Sequence, residues 1–193
     1  DMRFQLNGEW HDTPAGVAHF LEHKMFDTKD GNALQDLAAN GASPNAFTSS
    51  AITGYYFEST EKFEENLKIL LSFVSEPWFT PESVDKEQGI IGQEIRMIED
   101  DPENQVFYGM METLYVHNPI KVSIAGTVES ISHITADTLY ACHAAFYNPG
   151  NMVLCVAGNV DPERICEIAR EILPKEGIRD IPRDYGAGED DVP

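Results

Sequence analysis

The sequence predicts an α+β fold in which helices pack on a sheet, and three observations predict it. Segments of alternating or β-rich composition, at residues 3–6, 45–59 and 152–157, are interspersed with segments whose apolar residues recur at helical spacing. The boundaries carry matching punctuation: Asn7-Gly8 for a hairpin, and Thr13-Pro14, Thr80-Pro81 and Asp161-Pro162 for helix starts. The 193 residues are 42% apolar, enough for one buried core and too apolar for a disordered chain.

Taken in order, Arg3 to Leu6 alternates, turns at Asn7-Gly8 and returns through Glu9-Trp10-His11 as a short hairpin. Thr13 and Pro14 open a helix to about Phe26, with Val17, Phe20, Leu21 and Met25 on its apolar face. A second helix spans Gly31 to Asn40 and exits at Gly41. Asn45 to Ser59, rich in Phe, Thr, Ile and Tyr, reads as two extended segments. Phe63, Leu67, Leu70, Leu71 and Val74 mark an amphipathic helix that stops before Pro77. Thr80-Pro81 opens a long helix to Asp100, and Pro102 precedes another from Glu103 to Val116. Residues 118–132 read as a loop, Thr135 caps a helix to Phe146, Met152 to Ala157 is a buried strand, and Asp161 caps a helix to Leu173. Beyond Gly177 apolar periodicity ends, so residues 1–177 are expected to form the domain and 178–193 an acidic linker or tail.

Thirteen Lys and Arg stand against 33 Asp and Glu, a formal charge of −20. That balance excludes a sequence-independent grip on nucleic acid or anionic lipid. No apolar run is long enough to span a bilayer and no leader pattern opens the chain, although it begins at Asp1 rather than Met. Three cysteines without Cys-x-x-Cys spacing suit free thiols in a reducing compartment, so a cytoplasmic location is expected.

The chemistry concentrates in His19-Phe20-Leu21-Glu22-His23. At about 100° per residue the two histidines stand about 40° apart on one helical face and about 6 Å apart along the axis. Two neutral imidazoles so placed can meet at one zinc ion, for which catalytic sites use three protein ligands and one water. Glu22 projects to the same side, within reach of that water, as a candidate general base. Composition makes a chance match to this spacing rare, at about 0.03 expected occurrences in a chain of this kind. A structural zinc site would leave Glu22 without a purpose and the ion with an open position.

A third ligand is required. Glu87 and Glu94 on the long helix are separated by nearly two turns, so they point the same way about 10.5 Å apart. One can reach the ion and the other can support a ligating histidine from behind; spacing alone leaves both assignments open. His11, His117, His133 and His143 have no partner at ligand spacing, and Cys142 beside His143 makes no catalytic pair.

The joint pattern of Gly16 to Phe26, Asn45-Ala-Phe-Thr-Ser49, Thr53-Gly-Tyr-Tyr-Phe57, Lys86 to Glu94 and Phe146 to Met152 resembles the M16 family of inverted-zinc metallopeptidases, which includes insulinase, pitrilysin and the mitochondrial processing peptidase. Among its members the bacterial insulinase-like zinc proteases look most similar. The resemblance implies a mixed, largely antiparallel sheet with helices on it. It implies His19, His23 and Glu94 as zinc ligands, with Glu22 the catalytic base and Glu87 the supporting acid of the catalytic set. It also implies that Asn45, Ala46 and Phe47 lie on an edge strand to which a substrate peptide adds. The expected function is a zinc metalloendopeptidase domain acting on peptides or small proteins. The alternative is an incomplete half that binds zinc and peptide but needs a C-terminal half or a homologous subunit for activity.

Overall fold

A computed structural model describes residues 2–177, 180–186 and 188. The hairpin forms as expected: β1 (Arg3–Leu6) and β2 (Glu9–Asp12) pair antiparallel around Asn7 and Gly8, both at positive φ as a tight two-residue turn demands. β1 is also paired on its other side. Residues 181–184, expected within a linker, instead bury Ile181 in the core and add β7 (Arg183–Asp184) antiparallel to β1. Glu189 to Asp191, the acidic end of that expected tail, lies outside the described residues.

The chain then enters α1 (Val17–Met25), three residues later than Thr13-Pro14 suggests. Gly16, not Thr13, is the N-cap, at φ 90, and the amide of Thr13 extends the hairpin by donating to Met2 O. A two-residue ladder of β3 (Asp27–Thr28) and β4 (Gly31–Asn32) follows. Asn32 caps α2 (Ala33–Ala39) by accepting from the amide of Leu34.

The two extended segments are β5 (Ser43–Thr48) and β6 (Thr53–Glu58), an antiparallel pair with Asn45 opposite Tyr56 and Thr48 opposite Thr53. After α3 (Phe63–Ser75), α4 (Pro81–Asp100) starts at a reciprocal Thr80–Ser83 cap with proline in its first turn. Only one face of α4 is buried, along Val84, Ile91, Gly92 and Ile95; Ile90 and Met97 face outward. α5 (Pro102–Leu114) folds back from an Asp101 cap.

The stretch expected to be loop contains a short 3₁₀ turn at Pro119–Lys121 and α6 (Val128–Ser132), which Thr127 and Ser130 cap reciprocally. α7 (Ala136–Phe146) and α8 (Pro162–Ile172) start where Thr135 and Asp161 place them. Between them the expected buried strand is absent. Met152 to Ala157 is irregular and mostly exposed, with Val153 93% accessible. Its apolar pattern is that of a core strand, but among the described residues no strand lies alongside to provide a ladder.

The architecture is α+β as expected. Among the described residues its sheet content is distributed over three small sheets, and every ladder is antiparallel. The main core gathers Phe4, Phe20, Leu21, Met25, Leu37, Ile91, Ile95 and Leu139 between α1, α2, α4, α7 and the strands. A smaller cluster of Leu67, Leu71 and Ile168 joins α3 to α8, where Arg164 grips Glu64 through two nitrogens. No described helix is long and apolar enough to cross a membrane.

Candidate metal centre

α1 turns Phe20, Leu21 and Met25 into the core, and this fixes its remaining face against α4. That face carries His19 and His23, whose rings lie 4.6 Å apart. Glu94 on α4 faces both: His19 Nε2 is 3.4 Å from Oε1 and His23 Nε2 is 3.6 Å from Oε2. His23 Nδ1 donates to Glu87 Oε1 at 3.1 Å, so Nε2 is the nitrogen that keeps its lone pair. The spacing of Glu87 and Glu94 on α4 therefore separates two tasks. Glu94 closes the cluster and Glu87 grips the back of His23.

One donor atom from each of His19, His23 and Glu94 lies within 4.8 Å of the others. The contacts to Glu94 are too long for good hydrogen bonds, and His19 Nδ1 is buried with no hydrogen-bond partner among the described residues. Two imidazole nitrogens and a carboxylate drawn to one point without bonding one another fit a cation with nitrogen and oxygen ligands. Burial, reinforced by the neighbouring His23, holds the pKa of His19 below the ordinary imidazole value and keeps it in the neutral form a ligand needs. His23 is shifted the other way, chiefly by its hydrogen bond to Glu87 against the cost of burial.

Glu22, 9% exposed, is held by Thr48, whose hydroxyl donates to Oε2 at 2.5 Å. Behind His23 lies Lys24, only 1% exposed. Its ammonium pairs closely with Asp27 and stands 4.0 Å from Glu87 Oε2. Asn45, Ala46 and Phe47 lie on β5, which among the described residues pairs only with β6 and leaves its other edge open. Phe47 is folded back over Gly54, where a Cβ would come within 2.5 Å of the ring.

Thr48 and Lys24 were not among the residues singled out from sequence. Lys24 had a legible signal, since it follows Val17, Phe20 and Leu21 on the apolar stripe of α1, where a lysine needs a buried partner. Thr48 had only its inward register on β5. His143, which sequence leaves as either structural or solvated, is buried and donates through Nε2 to Val74 O, and Cys142 is a buried thiol whose pKa burial raises to about 12.

Two histidines and a glutamate around one point, with a spare carboxylate beside them, form the donor set used by mononuclear zinc hydrolases. The family model described as Insulinase (Peptidase family M16) matches residues 7–128, and that described as Peptidase M16 inactive domain matches residues 133–186. The uncharacterized zinc protease YmfH of Bacillus subtilis (strain 168) is 51% identical over 184 residues, which are 94% of this chain and 43% of that protein. A zinc protease of Mycobacterium leprae (strain TN) is 32% identical over 175 residues, 86% of this chain and 39% of its own length. The crystal structure of an M16-like peptidase from Alicyclobacillus acidocaldarius superposes with a TM-score of 0.88 at 39% identity, covering 95% of this chain and 44% of that one. The chain belongs to peptidase family M16. It spans less than half the length of these relatives.

Proposed function

We propose that this chain is the zinc-binding part of a metalloendopeptidase, with His19, His23 and Glu94 as the metal ligands. The observation that carries the reading is the convergence of those three donor sets within 4.8 Å, with Glu22 on the same turn of α1. The ion would supply Lewis acidity toward the scissile carbonyl and a lowered pKa for the attacking water. Glu22, with Oε2 held by Thr48, would use its free Oε1 to accept a proton from the attacking water and pass it to the departing nitrogen. Glu87 keeps the proton of His23 on Nδ1 and so aims Nε2 into the centre. Along β5, the edge at Asn45, Ala46 and Phe47 would offer main-chain groups to an extended peptide whatever its sequence, once the Asn45 side chain releases the Ala46 amide that donates to it.

In the full-length protein, Glu22→Gln is expected to retain zinc while losing peptide hydrolysis by about two or more orders of magnitude. Equal activity of the variant, or a wild type that binds no zinc, overturns the reading.

The 43% coverage of YmfH favours a second statement, that the 193 residues hold the metal and peptide but need the rest of the protein for efficient cleavage. Assaying the chain alone and mixed with the remainder decides it: a large gain on mixing supports dependence, and equal activity identifies an autonomous enzyme. A reducing, cytoplasmic setting suits the three free cysteines, two of them exposed.

A further inference from the structure

A carboxylate that accepts a proton in catalysis works best when one oxygen is fixed and the other is free, and the metal ligands do not hold Glu22 in that way. β5 does. Its alternation turns Pro44, Ala46 and Thr48 inward and leaves Ser43, Asn45 and Phe47 exposed. α1 packs across the inward face, and Thr48 Oγ1 donates to Glu22 Oε2 at 2.5 Å.

The contact continues away from the metal centre. Thr53, directly opposite Thr48 on β6, places its hydroxyl 3.4 Å from Thr48 Oγ1. Two residues further along β6, Tyr55 shares a separate 2.8 Å hydrogen bond with Tyr147. A hydroxyl has one proton to give; with Thr48 giving its proton to Glu22, its remaining lone pairs face Thr53. The paired Thr48 and Thr53 hydroxyls thus tie one oxygen of Glu22 to the two-stranded sheet.

We propose that Thr48 is a positioning residue: it fixes Oε2 of Glu22, leaves Oε1 to receive the proton, and ties the base to the strand whose outer edge accepts peptide. The inference rests on the reading of Glu22 as the base.

The test uses Thr48→Val and Thr48→Ser in the full-length protein, with kcat and KM resolved on a peptide substrate. Thr48→Val is expected to lower kcat roughly 10- to 100-fold with KM within about twofold and zinc content unchanged. Thr48→Ser, which keeps the hydroxyl, is expected to recover kcat to within about threefold of wild type. In metal-free protein, the unfolding midpoints of Thr48→Val, Glu22→Ala and the double variant are expected to be non-additive, because either change alone breaks the same hydrogen bond. The proposal is overturned if Thr48→Val keeps its kcat, if Thr48→Ser is as impaired as Thr48→Val, if the loss lies in KM alone, or if the midpoints add. Full activity of Glu22→Gln overturns the base assignment itself, and this inference with it.

Discussion

Glu87 meets the candidate metal centre through a single hydrogen bond to His23 Nδ1, so Glu87→Gln keeps the shape but weakens the hold on that proton. Zinc affinity, read by competition with a chromophoric chelator, is expected to fall about 10- to 100-fold. Lys24→Met leaves Asp27 and Glu87 without their shared cation and is expected to destabilise the fold by on the order of 2–3 kcal/mol, measured by urea unfolding, with Lys24→Arg milder. These two partners mark the limit of what residues reveal in isolation. His19, Glu22 and His23 are legible because a single helix turn relates them. The division of labour between Glu87 and Glu94 is not, since both project from one face of α4 and only the docking of α1 decides which meets the imidazoles. Thr48 meets Glu22 across 26 positions of chain, a proximity no local pattern encodes.

The entry into α1 is set by a close backbone contact. Gly16 sits at φ 90, and a Cβ there would come within 2.4 Å of Ala125 O; Gly126, at φ 73, would meet Ala15 O in the same way. Ser130 of α6 completes the junction by donating to Ala15 O at 2.7 Å. Gly16→Ala combines a disfavoured φ with a collision against backbone that has no rotamer to yield. It is expected to cost about 3 kcal/mol or more in chemical unfolding and to weaken zinc binding by shifting His19 and His23. This contact also explains an element boundary the sequence misplaces. Thr13-Pro14 has the residues of a helix start, but the turn imposed by Gly16 delays the helix. Boundaries at Thr80, Thr135 and Asp161 are legible because there the cap is local and no distant loop interferes.

For the molecule as a whole, the burial of one histidine and the net charge both bear on stability. Burial holds the pKa of His143 below the ordinary 6.5, against the raising effect of the bond to Val74, so its neutral form is the folded one. Protonation therefore favours the unfolded chain. The contribution is complete above pH 6.5, erodes as the pH falls below it, and levels off once the folded-state pKa is passed. Between pH 7 and 5 the thermal midpoint of wild type is expected to fall more steeply than that of His143→Gln. The formal charge of −20 adds self-repulsion, so raising salt from low to near-physiological ionic strength is expected to raise the midpoint of both proteins. The fold class is legible at this scale because caps and periodicities recur along the chain. Met152 to Ala157 is not, because an apolar pattern reports a need for cover and does not say which segment supplies it. That stretch gives the molecule a built-in isotope clock. Its amides have no backbone acceptor among the described residues, so in the 193-residue chain they are expected to take up deuterium at close to random-coil speed. Slower exchange on joining the chain to further sequence or to a partner would report, residue by residue, a segment that covers it.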